Sequence, residues 1–330
     1  MKLSKNARRI LVIADILLIV GLIFGLWYYQ RQAGDEDKLT EEELSRRYAS
    51  TVRYKNQEAS VRRRLTSLLL IGTDNFVGDK KQLHIEAHYN NNLADFLMVL
   101  VFDHENKTVA PFQICRDTMC EVPWISVNGI TDGTEFQQIT FAHMYGSGKE
   151  DSCRNTVTAV SDLLCGVPID DYFAFTMDAI PVLNDLVGGV TVTLEDDIPA
   201  LGPEFVRDAQ ITLRGNASLR FVRYRDIEQL DSNLTRMGHH RLYVTCFADA
   251  AKEALKQDGD LPTKAFRSVE PFVCTDLSVE SVSDIADHLM NYELLPVVTP
   301  EGQYTEGAEF AEYYVDEDSL WACVKAVFCS

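Results

Sequence analysis

An apolar run near the start constrains this chain more than any other feature. Residues 10–27 are almost wholly apolar, and Tyr28 and Tyr29 close the run. About 20 apolar residues span a bilayer core, so the stretch suffices for one crossing. Trp27 and the two tyrosines suit the interfacial belt. Lys2, Lys5, Arg8 and Arg9 precede the run and are expected to stay in the cytoplasm, which sends the remainder outside. A cleaved signal peptide would carry a shorter core and a small-x-small site. Gln30, Arg31 and Gln32 follow instead. The expected organisation is a cytoplasmic tail at 1–9, an anchor at 10–29, a linker at 30–64 and an extracytoplasmic domain at 65–330. Asp15, inside the run, has no explanation on this reading.

The net charge of -19 bounds the partners. An acidic surface opposes binding of nucleic acid by counterion release. Any anionic ligand then needs a local basic pocket or a metal ion. Cys115, Cys120, Cys153, Cys165, Cys246, Cys274, Cys323 and Cys329 all follow the anchor. An even number outside the cytoplasm permits disulfides, and on the order of a hundred connectivities remain open. No Cys-x-x-Cys pair points to a structural zinc.

Patterns of alternating type set the fold class. The linker is charged, and Thr40 to Glu43 reads as a capping box, so a helical stalk is expected there, with Arg62, Arg63 and Arg64 as a solvated end. Residues 65–72, 96–102 and 108–115 read as buried strands, the last two joined by the polar turn 104–107. Helical spacing marks 152–164, stopped by Gly166, then 179–186, stopped by Gly188 and Gly189, and 232–255. Short strands are expected at 172–176 and 190–194. A helix (279–290), a strand (293–298) and a helix (318–328) close the pattern. Such alternation implies an α/β class: a layered α/β/α domain on a mixed central sheet, preceded by one transmembrane helix.

Two sets of residues carry chemistry. Asp74 ends the first strand and Asp95 opens the second. If these strands are neighbours, both carboxylates reach one sheet edge and suit a hard ion such as Mg2+. Asp also caps turns routinely. The second set is basic: Arg116 beside Asp117, then Arg220, Arg223 and Arg225 in LRFVRYR, then Arg236 and Arg241. Arg223 and Arg225 point the same way if that segment is extended. Arginine forks grip phosphate oxygens bidentately, although arginines on acidic proteins commonly pair with carboxylates. Phe136, Ile139, Phe141, Met144, Phe173, Phe175, Val182 and Leu186 read mostly as core.

These motifs, in this order, resemble the LytR-CpsA-Psr family. LLLIGTD (68–74), ADFLMVLVF (94–102), APFQICRDT (110–118), CGVPIDDYFAFTMDAIPVLNDLVGGVTV (165–192), LRFVRYR (219–225) and DSNLTRMGHHR (231–241) carry the resemblance. It implies transfer of a phosphorylated glycopolymer from a polyprenyl pyrophosphate carrier to peptidoglycan, at the outer face of the cell membrane. The polymer, whether teichoic acid, capsule or another wall polysaccharide, is left open. The resemblance places Mg2+ on Asp74 and Asp95, and phosphate oxygens on Arg116, Arg223, Arg225 and Arg236. Asp117 would orient Arg116. Asp231 would order the arginine loop or act as base. The chain departs from the family pattern at Cys115, where proline is usual, and at His239, where a second arginine is usual. Hydrolysis of the carrier pyrophosphate, or polymer binding without turnover, are the alternative functions.

Overall fold

The structure is a computed structural model and describes residues 51–74, 90, 92–125, 131–226, 229–258, 261–277, 288, 291–308 and 310–330. The expected tail, the anchor and the linker up to residue 50 lie outside the described residues. So does the expected helix 279–290, His288 excepted. Among the described residues no helix is long and apolar enough to cross a membrane.

In chain order the strands are β1 (Thr51–Tyr54), β2 (Gln57–Ser60), β3 (Leu65–Thr73), β4 (Ala94–Asp103), β5 (Thr108–Ile114), β6 (Met119–Ile125), β7 (Thr131–Gln138), β8 (Asp171–Thr176), β9 (Val190–Thr193), β10 (Gln210–Leu213), β11 (Val273–Thr275), β12 (Glu293–Leu294), β13 (Gly302–Glu306) and β14 (Ala311–Val315). The helices are α1 (Glu150–Leu163), α2 (Ala179–Leu186), α3 (Asn216–Arg223), α4 (Ser232–Gln257), α5 (Leu261–Val269) and α6 (Glu317–Phe328). They fall into two compact units. Among the described residues the larger takes 51–176, Val273–Leu277 and Leu295–Ser330; the smaller takes Met177–Phe272 and the described part of Ser278–Leu294.

The larger unit is built on a mixed sheet, β11-β8-β3-β4-β5. β3 runs parallel to β8 and antiparallel to β4, and is buried along almost its whole length, as a continuous apolar run requires. β4 and β5 form the expected hairpin. Asp103 Oδ1 accepts the N–H groups of Glu105 and Asn106 in its turn, at 3.0 and 2.9 Å. Leu69, Ile71, Leu97 and Val99 pack on one face with Val160 of α1 and Trp321, Val324 and Phe328 of α6. Cys165 and Gly166 take positive φ to end α1, and the Gly166 N–H donates to Ser161 O at 2.8 Å.

Four expectations need correction. Residues 51–60 are not helical; they form the antiparallel hairpin β1–β2. Its alternation was hidden by charge: Val52 is core, and Tyr54 lies 5.7 Å from the Trp321 ring. Arg62 is not a solvated end. It pairs with Asp103 at 2.7 Å and donates to the Val327 carbonyl, so the chain needs its charge inside. The strand expected at 293–298 shrinks to β12, and Val298 meets Phe112 of β5 by a single parallel bridge. Phe136, expected as core, is 53% exposed.

The smaller unit packs the β9–β10 hairpin with α3 and α4. Val190, Val192, Leu213, Phe221, Tyr243, Phe247 and Ala251 are its core. Gly189, at φ +97°, ends α2 where a Cβ would stand 2.9 Å from the Leu213 carbonyl. The extended reading of LRFVRYR is corrected here. Ser218, Phe221 and Val222 are buried at helical spacing, so α3 runs to Arg223 and only Tyr224 turns extended. Arg223 and Arg225 therefore do not share a strand face.

Candidate functional site

Sheet register gathers four of the expected site residues. Thr73 stands opposite Ala94, and Leu97 opposite Ile114. The end of β3, the start of β4 and the end of β5 thus meet at one edge, where Asp74, Asp95, Arg116 and Asp117 emerge. β8 ends there too, with Thr176 beside Thr73. Thr176 Oγ1 is buried without a hydrogen-bond partner in the protein.

Arg116 organises this edge. Its Nη1 donates to Asp95 Oδ1 and its Nε to Asp117 Oδ1, the latter at 3.2 Å. The Arg116, Asp95 and Asp117 side chains are 11%, 9% and 8% exposed. Charges this deep persist only when paired and hydrogen-bonded. Asp117 has a further partner that the sequence did not signal. The Tyr304 phenol, from β13, donates to Asp117 Oδ2 at 2.9 Å and lies 3.2 Å from Cys115 Sγ. The Asp117 carbonyl accepts from the Tyr313 N–H of β14 at 3.0 Å. No local pattern could reveal this contact, because it joins segments far apart in the chain.

Asp74, Asp95 and Asp117 bring three carboxylates to this edge beside the Arg116 guanidinium. These are hard oxygen donors, and Mg2+ binds by one or two carboxylates and completes its shell with water and phosphate oxygens. Among the described residues no group of three or more His, Cys, Asp or Glu side chains is arranged to hold an ion. Asp74 and Asp95 fit an ion that takes its other ligands from substrate and water.

The remaining expected site residues lie in the smaller unit. Arg223 and Arg225 are exposed at the end of α3. Asp231 precedes α4, exposed, and its side chain makes no capping bond. Arg236, one turn on, is 5% exposed. Its Nε and Nη2 donate to Asn233 Oδ1 at 3.0 and 2.7 Å, which fixes the fork on a neutral oxygen. His239 packs between Phe221 and Tyr224, with ring centroids at 5.1 and 5.9 Å, and burial lowers its pKa. It is a packed neutral residue and does not restore the charge of an arginine. His240 is buried with Nε2 2.9 Å from the Val222 carbonyl, and burial pushes its pKa down to about 3. The structure thus brings Asp74, Asp95, Arg116 and Asp117 together in one unit, and holds Arg223, Arg225, Asp231 and Arg236 in the other.

The sequence pattern of the LytR-CpsA-Psr family matches residues 26–322, a span that includes the arginine–carboxylate edge. The chain belongs to the LytR-CpsA-Psr family. Among its relatives is the polyisoprenyl-teichoic acid–peptidoglycan teichoic acid transferase TagU of Bacillus licheniformis. The two are 26% identical over 221 residues, which are 66% of this chain and 62% of that protein. TagU of Bacillus subtilis is 25% identical over 263 residues, 77% of this chain and 74% of that protein. The chain thus spans under two thirds of the B. licheniformis relative. In fold it resembles the solved structure of TagT bound to LI-WTA, with a TM-score of 0.57, 18% identity, and 80% and 89% of the two chains covered. B. subtilis TagU gives a TM-score of 0.53 at 20% identity, covering 79% and 94%. The mixed α/β fold is therefore that of the LytR-CpsA-Psr structures.

Proposed function

We propose that this LytR-CpsA-Psr protein is a phosphotransferase of the cell envelope. It moves a phosphorylated glycopolymer from a polyprenyl pyrophosphate carrier to a peptidoglycan hydroxyl. The observation that carries this reading is the buried Asp95–Arg116–Asp117 cluster at the sheet edge beside Asp74. The relatives' names give teichoic acid transfer to peptidoglycan, which agrees with it. Breaking a pyrophosphate spreads charge over the transferring and leaving oxygens, and catalysis is mainly positioning plus charge stabilisation.

Each side chain then has a task. Arg116 faces phosphate with a guanidinium whose orientation is set by carboxylates at two of its nitrogens. Asp117 positions Arg116, and Tyr304 positions Asp117. Arg223, Arg225 and Arg236 take phosphate oxygens, Arg236 with its plane fixed by Asn233. Asp231 orders the arginine loop, or accepts the acceptor's proton. Asp74 and Asp95 would hold Mg2+, which neutralises pyrophosphate charge when bound. Gly72 stands in register between Phe96 and Phe175, on the sheet face next to this edge. With no side chain there, two half-buried rings offer an apolar surface suited to a prenyl chain. The chain acts at the outer face of the cell membrane, held by residues 10–29 with the N-terminus inside.

The test is reconstitution of the full chain in detergent with Mg2+, a polyprenyl-pyrophosphate glycan and peptidoglycan oligomers. Joined glycan–peptidoglycan is the expected product. Free phosphorylated glycan without joining would make the protein a hydrolase, and binding without either product a non-catalytic member.

A further inference from the structure

Eight cysteines follow the expected anchor, and their spacing leaves the pairing open. The fold of the larger unit narrows it. Cys153 lies in the second turn of α1, fully buried. Cys274 is the middle residue of β11, half-buried, and pairs across the sheet with Ala174 of β8. α1 packs against both β8 and β11. This brings the two sulfurs within hydrogen-bonding reach of each other. The other polar neighbour of Cys153 Sγ is His143 Nε2, at 3.8 Å.

We infer that Cys153 and Cys274 form a disulfide in the mature protein, fastening edge strand β11 to helix α1. The inference rests on the extracytoplasmic placement proposed above, because a cytosolic chain would keep both thiols reduced.

The chemistry is thiol–disulfide exchange with a dithiol–disulfide oxidoreductase as the oxidant. Cys274 is the more accessible sulfur, and the hydrogen bond from Cys153 lowers its pKa. Its thiolate attacks one sulfur of the oxidant's disulfide, and the oxidant's other sulfur leaves as a thiolate. Cys153 then gives up its proton, and its sulfur attacks Cys274 and expels the oxidant's remaining thiolate. Two protein thiols are oxidised, one oxidant disulfide is reduced to a dithiol, and the two protons end on that dithiol.

The position gives the bond mechanical meaning. β11 is only three residues long and sits at the sheet edge. It is the point at which the chain re-enters the larger unit after leaving it at Met177. The bond closes a loop of roughly 120 residues, the long-loop case in which a cross-link most restricts the unfolded chain. At the other end, Cys153 adjoins His143, whose Nδ1 lies 3.2 Å from the Asn92 carbonyl, three residues before Asp95.

Full-length protein, isolated from membranes with thiols trapped by alkylation, is digested without reduction and mapped by mass spectrometry. The expected result is a linked peptide pair containing Cys153 and Cys274, and a melting temperature lowered by about 5–10 °C on reduction. The same drop is expected in the Cys153→Ser variant, which then leaves Cys274 open to alkylation. Alkylation of both residues in the native isolate, linkage of either to another cysteine, or thiols released only by a zinc chelator would overturn the inference. Failure of the placement is distinguishable from failure of the geometry. If both are alkylated as isolated but oxidised glutathione closes the pair in the folded protein, the compartment was misassigned. If glutathione leaves them open, the sulfurs do not meet. Neither readout requires transfer activity, which the reconstitution tests separately.

Discussion

The two units hold their basic side chains by opposite means. In the larger, Arg116 is set between Asp95 and Asp117, charge against charge, at strand ends fixed by sheet register. In the smaller, Arg236 rests on the amide oxygen of Asn233, and Arg223 and Arg225 stand exposed where α3 ends. The first arrangement makes a rigid anchor whose positive charge is largely answered by its neighbours. The second sets a buried guanidinium on a neutral amide oxygen and places two others at an exposed helix end. A site for pyrophosphate needs both a fixed reference point and available positive charge.

The contrast predicts unequal consequences. Arg116→Ala removes the anchor and leaves two buried carboxylates without it. Glycan ligation is expected to fall about a thousandfold, measured as kcat/KM for joined product. Near-normal turnover would remove Arg116 from the mechanism.

Among the described residues His143 of the larger unit and His240 of the smaller are buried neutral histidines, which permits a test by acid. Burial lowers the pKa of His143 to about 4 and that of His240 to about 3, each below the ordinary 6.5. The unfolded chain binds those protons more readily. The stability that neutral imidazoles contribute is therefore complete above about pH 6.5 and is lost as pH falls toward 4. For His143 the loss is on the order of 2–3 kcal/mol. Melting temperature should drop across that window, and His143→Gln should flatten the slope of the larger unit alone. A profile flat from pH 7 to 4 in the parent protein would show that these rings are not buried as described.

Asn233→Ala frees Arg236 without removing its charge. About a tenfold loss of ligation is expected, mainly in KM for the carrier-linked donor, since uniform binding is what a loosened fork gives up. Tyr304→Phe should be the mildest change. It deletes one hydrogen bond to Asp117, worth about 1 kcal/mol, and is expected to lower kcat about fivefold with KM unchanged. Equal ligation rates in the Tyr304→Phe variant and the parent would confine the Tyr304 contact to packing.

What the sequence revealed depended on the range of the interaction. Strands β3 to β5 and helices α1 and α4 were legible because each carries its own period, and the Asp74–Asp95 meeting followed from placing two strands side by side. Arg116 and Asp117 were visible as a pair of neighbours. Tyr304 was not, since its link to Asp117 crosses most of the chain. The hairpin at 51–60 was masked by its charges, which lie on the solvent side while Val52 and Tyr54 face Trp321. LRFVRYR misled for the reverse reason: alternation of arginines suggested a strand, while burial of Ser218, Phe221 and Val222 follows a helix. His239 showed in sequence only as a departure from the family arginine, and the rings of Phe221 and Tyr224 around it show that it is packed.

The excursion of the chain between β8 and β11 bears on how the protein is made. The core of the smaller unit draws on residues 187–251, one continuous stretch, and can consolidate as soon as that stretch is available. The larger unit cannot. Its sheet waits for β11, and hairpin β1–β2, near the front of the described chain, finds its packing partner only in α6, almost at the other end. Contacts so distant in sequence form slowly. If the chain emerges N-terminus first, as in translocation across a membrane, the smaller unit folds first, while the first strands of the larger unit remain uncovered. Those strands include the most apolar segments of the chain after residue 29, so the interval before α6 emerges is when this protein most needs protection from aggregation.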